Sequence, residues 1–217
     1  LETPNLGFKN FPLRDKLKKE FNIPVNLEND VNAGLYGEFR KGAARKFKHI
    51  IGLFPGTGLG GGIIIDGKLY RGAGGGAGEI GHMIIQVEGR LCGCGQHGCL
   101  ESLASKTAIA KDAVFLAAKG DSPYLYENGG TDFTNIKSGR LKKAIDAGDG
   151  SIQELIDRAA YYLGIGMANC VNIFNPELIV LGGGLVEKFG KPYVEAAGRS
   201  MRSHAMEDNI ALSKRNH

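Results

Sequence analysis

A chain of 217 residues, 42% hydrophobic and 23% charged, carries enough apolar material for a sizeable core and is neither disordered nor fibrous in composition. Its formal charge of +4 is scattered, apart from the stretches 41–48 and 16–19, which argues against a nucleic-acid surface. No apolar run approaches the roughly 18 residues of a membrane span, and no secretory leader is visible, so the expectation is a cytoplasmic protein with reduced thiols. Glycine is the unusual component: 34 residues, about twice the common share of ~7%, gathered at 56–62, 72–81, 93–98 and 182–184.

In chain order, apolar spacing predicts a short helix over 11–20, stopped before Pro24. Val25–Leu27 reads as a short strand that ends at Glu28-Asn29-Asp30, and helical spacing returns over 31–41. His49–Phe54 and Gly62–Ile65 read as an antiparallel hairpin joined by a glycine-rich turn, Pro55–Gly61, and Asp66-Gly67 turns the chain into Leu69-Tyr70. Helices are expected over Ser102–Ala118, Ile136–Ala147 and Gly150–Phe174, with a turn-rich stretch over Ser122–Gly130. Pro176 ends the long helix, Leu178–Leu181 forms a buried strand, and a last helix covers Tyr193–Arg202. No internal repeat is present, and the alternation of strands and helices indicates an α/β fold. Cys170, alone on an apolar helix pattern, reads as a small buried hydrophobe.

Five constellations carry chemistry. Cys92, Cys94 and Cys99 follow His82 across a glycine-rich loop that ends in a carboxylate, Glu101. Three thiolates and one imidazole suit a closed, tetrahedral zinc site that is structural, with no open position for water. His97 competes for the fourth ligand; His82 is preferred because it would tie two segments together. The turn Gly56-Thr57-Gly58-Leu59-Gly60-Gly61-Gly62 lets backbone amides approach an anion, with the Thr57 hydroxyl as a further donor. It lacks the Lys-Ser/Thr ending of a P-loop and opens no helix, so a structural hairpin turn stays open as its alternative. Asp30, between a strand end and a helix start, suits a base that takes a proton from an alcohol, or a helix N-cap. Glu79 and His82, set among glycines, suit hydroxyl recognition of a sugar. Gly182-Gly183-Gly184 at a strand end suits a base or ribose, or a tight turn.

Together these pieces closely resemble the ROK group of repressors and sugar kinases, over nearly the whole chain. The resemblance rests on Thr3-Pro4-Asn5-Leu6; on Pro24-Val25 with Glu28-Asn29-Asp30 and Glu38; on Gly56–Gly62; on Gly78-Glu79-Ile80-Gly81-His82; on Cys92-Gly93-Cys94-Gly95 through Gly98-Cys99-Leu100-Glu101; and on Asn175-Pro176 with Leu181–Gly184. It implies an α/β, two-lobed fold of the actin and hexokinase (ribonuclease H-like) type. Residues 1–43 would be the remainder of a small N-terminal lobe and hinge. Residues 44–217 would be the large lobe, with the zinc loop at 82–101. The implied reaction is transfer of the ATP γ-phosphoryl group, with magnesium, to a hydroxyl of a hexose, glucose or an N-acetylated hexosamine.

By the same resemblance Asp30 is the base, and Asn29, Glu79, His82 and Glu101 hold the sugar. Gly56, Thr57, Gly58 and Gly60 belong to the phosphate loop, Gly182, Gly183 and Gly184 to the adenosine loop, and His82, Cys92, Cys94 and Cys99 to the zinc. The zinc is expected to position His82 and Glu101, and so to govern sugar binding more than nucleotide binding. The family's Asp-X-Gly-Gly-Thr loop and its closing Leu-Gly-Asp stretch have no counterpart here, so the chain reads as a fragment truncated at both ends and inactive alone. A homodimer is implied. The rival reading is the effector domain of a sugar-sensing repressor, the one case that brings in nucleic acid; a purely structural zinc module would leave both glycine loops idle.

Overall fold

The computed structural model describes residues 2–3, 8–9, 11–129 and 132–209. Pro4-Asn5-Leu6 and the Gly130 end of the turn-rich stretch lie outside them. Two short strands, β1 (Glu2–Thr3) and β2 (Phe8–Lys9), pair antiparallel ahead of helix α1 (Leu13–Phe21). Helix α2 (Asp30–Lys41) leads into the main sheet, built from β3 (Ile50–Pro55), β4 (Leu59–Ile65), β5 (Lys68–Leu69) and β6 (Leu178–Leu181). Its strand order is β5-β4-β3-β6; β3, β4 and β5 are antiparallel neighbours, and β6 lies parallel to β3.

Period-two alternation along β3 and β4 splits the core in two. Ile50 and Ile64 face α2 and bury Leu35 and Ala44 with them. Ile51, Leu53 and Ile63 face the opposite layer, where Leu100, Ile109, Leu155 and Leu163 complete the larger cluster. That layer holds α3 (Glu101–Ala104), α4 (Lys106–Lys119), α5 (Pro123–Gly129), α6 (Ser138–Asp146), α7 (Gly150–Phe174) and α8 (Gly184–His204). Helix α7 starts at Asp149, whose carboxylate accepts the Ile152 N–H, and stops at Asn175 in the left-handed conformation.

The structure departs from the sequence reading in five places. Val25–Leu27 forms no strand with any of the described residues; the Val25 carbonyl accepts from Arg14 Nε instead. The described part of the turn-rich stretch is helical: Pro123 sits at a first helical position, where its missing N–H costs nothing, and α5 runs to Gly129. The helix expected over Ser102–Ala118 breaks at Ser105, which is extended and caps α4 by accepting the Ala108 N–H. Strand β4 begins at Leu59, so Leu59, Gly60 and Gly61 are strand residues rather than turn. The last helix begins at Gly184, well before Tyr193, and absorbs Pro192 by a break at Gly190, which has a φ of 61°.

Two anchors secure the layers. Gly164 of α7 lies so close to Ala197 and Ser200 of α8 that a methyl group there would overlap both. Glu177 accepts from the N–H groups of Lys48 and His49 at 2.6 and 2.9 Å, joining the start of β6 to the start of β3. Those two backbone donors hold its carboxyl below the usual value.

Gly164→Ala should cost about 1–3 kcal/mol by overpacking, read as a lower midpoint in urea unfolding. The lowered pKa of Glu177 means that its contribution is present above the unfolded-state value and is lost as pH falls through the folded-state value. Glu177→Gln should therefore flatten the acid limb of the stability profile, and an unaltered limb would contradict that assignment.

Candidate functional site

The site is organised around β4, where glycines let backbone and side chains close in from both faces. At Gly60 the neighbour is Val31 of α2, and at Gly62 it is Leu35 and Asn32 of the same helix. At Gly61 the neighbours are the Gly78 carbonyl and Ile80, each 2.6 Å from where a β-carbon would lie. The first turn of α2, with Asn29 and Asp30, thus lies over one face of β4, and the Gly78–His82 segment lies over the other.

Asn29 is the N-cap of α2: its Oδ1 accepts the N–H groups of Val31 (2.9 Å) and Asn32 (3.1 Å). Its side-chain carbonyl is therefore spent on the helix, and the amide Nδ2 is the group left for a ligand. Asp30 is the first helical residue, exposed, with Oδ1 3.0 Å from the Val31 amide. The cap that the sequence offered as an alternative role for Asp30 belongs to its neighbour.

Glu28 was part of the motif but had no assigned role. Its carboxylate accepts from Arg71 Nε (2.8 Å), from Asn32 Nδ2 (3.1 Å) and from the Asn29 amide (3.2 Å), and Arg71 Nη2 lies 2.6 Å away. These contacts tie the Asn29-Asp30 turn to the loop that runs on to Glu79. Hydrogen bonds from Arg71, Asn32 and the Asn29 amide outweigh the opposing effect of burial and keep its carboxyl below the usual value. Arg71 carried no recognisable signal in the sequence, because its partner is distant in the chain.

The two glycine loops stand side by side. Strands β3 and β6 are parallel, and their carboxyl ends lead into Gly56–Gly58 and Gly182–Gly184. The Gly182 N–H donates to the Leu53 carbonyl at 3.1 Å, and Gly183, at a φ of +86°, sits against the Pro55 carbonyl where no side chain would fit. The carboxyl edge of parallel strands is where α/β sheets collect ligands. Behind the first loop, the Gly56 carbonyl accepts from the Lys106 N–H (2.8 Å), and the Thr57 carbonyl from Thr107 Oγ1 (2.7 Å). All described peptide bonds are trans. With those carbonyls turned toward α4, the amides of Thr57 and Gly58 point the opposite way, free to face an anion.

The donor atoms of His82, Cys92, Cys94 and Cys99 all lie within 4.8 Å of one another. Zn–S bonds near 2.3 Å place two thiolates of a tetrahedral site about 3.8 Å apart. Cys94 and Cys99 Sγ are 3.7 Å apart, and His82 Nδ1 is 3.7 Å from Cys92 Sγ, so the four residues fit a zinc ion. His97 stands outside the set, with its Nδ1 2.9 Å from the Gly89 carbonyl. His82 presents Nδ1 to the thiols and leaves Nε2 4.0 Å from Glu79 Oε2. Gly98 closes the loop at a φ of +75° directly against Gln86, which admits glycine only. Arg90 and Arg158 both bond Asp112 at 2.6 Å, fastening the loop to α4 and α7. Burial pushes the Cys92 thiol up and the Cys99 thiol to about 12, whereas the Gln96 backbone amide lowers that of Cys94.

A cavity of roughly 560 Å³ lies between this loop and the Gly56–Gly58 turn, with Thr57, Gly58, His82, Cys92, Cys94 and Glu101 in its wall. Asn29, Asp30 and Glu79 are not part of that wall. Glu101 does more than line it. Its Oε2 accepts the Leu59 N–H at 2.8 Å, and its Oε1 lies 3.6 Å from Cys92 Sγ. The sequence connected the metal loop with sugar binding alone; the structure adds a direct grip on the edge of the Gly56–Gly58 turn.

A sequence model of the ROK family matches residues 1–213. The chain belongs to the ROK family. The ROK chain is 38% identical over 206 residues to a glucokinase of Halalkalibacterium halodurans, covering 93% of this chain and 61% of that protein. It is 41% identical over 197 residues to a xylose repressor of Caldicellulosiruptor bescii, covering 90% of this chain and 48% of the repressor. Its fold is the actin-like sugar-kinase fold of the family. A ROK glucokinase from Streptomyces griseus, crystallised with glucose and AMPPNP, superposes with a TM-score of 0.82 at 34% identity, covering 94% of this chain and 66% of the crystallised one. The chain thus spans about half to two thirds of the length of these relatives. Among the described residues no helix is long and apolar enough to cross a membrane.

His82→Ala and Cys94→Ala should each abolish stoichiometric zinc binding, whereas His97→Ala should leave it intact, as measured by metal analysis after dialysis. Because the raised Cys92 and Cys99 thiols must lose protons to bind metal, zinc uptake should acidify a weakly buffered solution, and affinity should fall from about pH 8 to about pH 6. Metal affinity that does not vary with pH would contradict thiolate ligation.

Proposed function

We propose that this ROK chain is the major part of an ATP-dependent hexose kinase, acting on glucose or an N-acetylated hexosamine. Residues 44–217 form its large lobe, and residues 1–43 the remainder of the small lobe and hinge. The observation that carries this reading is the arrangement at β4: the Glu28-Asn29-Asp30 turn on one face, and two glycine loops at the carboxyl ends of β3 and β6. A sugar at the edge of β4, reaching the Asp30 turn on one side and the Glu79–His82 segment on the other, would meet acceptors in Glu79 and Glu101 and donors in Asn29 Nδ2 and His82 Nε2.

Asp30 Oδ2, the oxygen not engaged with the Val31 amide, takes the proton of the attacking hydroxyl. The hydroxyl oxygen bonds to the γ-phosphorus as the bond to the β-phosphate oxygen breaks, releasing ADP. The Thr57 and Gly58 amides and the Thr57 hydroxyl hold phosphate oxygens, with Gly60 supporting that turn from β4, and Gly182, Gly183 and Gly184 pass under the adenosine. Zinc, when bound, supplies fixed geometry rather than reactivity, since its four protein ligands leave no open position. Magnesium is held mainly by the nucleotide's phosphates and water and enters with the nucleotide. A homodimer in the cytoplasm completes the reading.

A second reading is the effector domain of a sugar-responsive repressor, favoured by the 41% identity to a xylose repressor. A sensor needs the sugar ligands but no base, and the intact Asp30, which is not used as the helix cap, favours the kinase.

In the whole protein, sugar-dependent ADP release should be measurable with glucose or an N-acetylated hexosamine. Asp30→Asn should lower it by about 10²–10⁴-fold while the sugar Kd changes only severalfold. Absence of turnover with every hexose tried, together with sugar-dependent release of a DNA operator, would replace the kinase reading with the sensor.

A further inference from the structure

Leu59 is the residue where the phosphate turn becomes strand β4, and it is almost fully buried. Both of its backbone polar atoms meet residues that adjoin metal ligands. Its N–H donates to Glu101 Oε2, and Glu101 stands two positions after Cys99. Its carbonyl oxygen lies so close to Gly81 that a β-carbon there would overlap it, and Gly81 immediately precedes His82. The other carboxylate oxygen of Glu101 is 3.6 Å from Cys92 Sγ.

Glu101 itself has little freedom. Leu100, between Cys99 and Glu101, is fully buried and fills the space left by Gly166 of α7. The Cys99 carbonyl accepts both the N–H and the Oγ of Ser102, at 3.0 and 2.7 Å. A carboxylate carried on so rigid a support holds whatever it bonds.

We propose that Glu101 is a positioning residue, and that the His82–Cys99 metal loop acts as a clasp closed around Leu59 so that the metal site and the Gly56–Leu59 turn stabilise one another. The donors His82 and Cys99 are brought together by the metal; Gly81, adjacent to His82, and Glu101, two residues after Cys99, then close on the two backbone polar atoms of Leu59. Opening the clasp releases the Leu59 amide and, with it, the direction of the neighbouring Gly58 and Thr57 amides. Gly58 shares in this constraint, since a methyl group at its α-carbon would overlap Glu101 Oε2. Such coupling is reciprocal: a change in the phosphate turn must alter metal binding by the same factor as metal alters the turn. The proposal takes its metal and phosphate sites from the functional reading above, but its measurements involve neither sugar nor ATP.

Hydrogen exchange at single amides and cobalt binding, both on the zinc-competent 217-residue chain, test the clasp. Removing metal with a chelator should speed exchange at Leu59 by about tenfold or more, while Ile63 and Ile64 in the same strand keep their protection. Glu101→Ala should do the same with metal present, and Glu101→Gln, which keeps an acceptor oxygen for the amide, should restore protection. Gly58→Ala, remote from every metal ligand in sequence, should weaken cobalt binding about tenfold or shift the visible bands of the cobalt–thiolate site. Unchanged Leu59 exchange in a folded Glu101→Ala protein, or after metal removal, would overturn the proposal. So would a Gly58→Ala protein with unaltered cobalt spectrum and affinity, a result that stands even where Glu101→Ala fails to fold. A whole protein that shows the coupling but turns over no hexose with ATP keeps the clasp and discards the kinase.

Discussion

The constraint on which the rest of this structure depends is the close approach of neighbouring segments to β4. An ordinary strand keeps its neighbours away with a side chain at every position. Here Gly60 and Gly62 present bare backbone to α2, and Gly61 presents it to Gly78 and Ile80. A β-carbon at any of the three would push one of those segments outward. That displacement would separate the Asn29-Asp30 turn from the Glu79–His82 segment, and geometry is most of what phosphoryl transfer asks of a protein. The glycines therefore act less as flexible residues than as missing volume.

Close approach creates a second need, because the segments brought to β4 have little apolar surface of their own. The stretch from Arg71 to Gly78 contains few side chains that could bury themselves, and the loop from Gln86 to Gly98 is largely exposed. Polar and metal contacts take over where hydrophobic packing is thin. Glu28 and Arg71 fasten one loop to α2, Arg90 and Asp112 fasten the other to α4, and His82, Cys92, Cys94 and Cys99 gather its two ends. The larger core lies beneath, in the α3–α8 layer, and supplies rigidity through residues such as Leu100. Function and stability are thus carried by different chemistries in adjoining layers.

The same arrangement explains how one fold serves relatives named as glucokinases and as xylose repressors. In the proposed reading, sugar recognition uses the metal loop, the Glu79–His82 segment and the turn at α2. Phosphoryl transfer further requires a carboxylate placed for the attacking hydroxyl and a turn whose amides face phosphate. The proposed kinase reading assigns both to this chain, and the N-cap geometry supports it: Asn29 caps the helix, and only one oxygen of Asp30 is engaged, with the Val31 amide.

The sequence by itself determined the residue chemistry. The spacing of three cysteines and a histidine, the two glycine loops and the Glu28-Asn29-Asp30 triplet were legible because each is local, and local spacing fixes which atoms a short loop can gather. The hairpin, the long helix α7 and strand β6 were legible for the same reason, through periodicity. Tertiary structure alone decided what the glycines of β4 are for, since their role lies in the segments packed against them and not in their own conformation. It brought His82, the ligand that spacing already preferred, within reach of the thiols and left His97 outside the set. It broke the helix at Ser105 and moved the start of α8 to Gly184, where caps and packing override propensity. It also joined Glu101 to Leu59, a contact between residues 42 positions apart that no local pattern encodes. Chemistry is written in neighbours along the chain; position is set by neighbours in space.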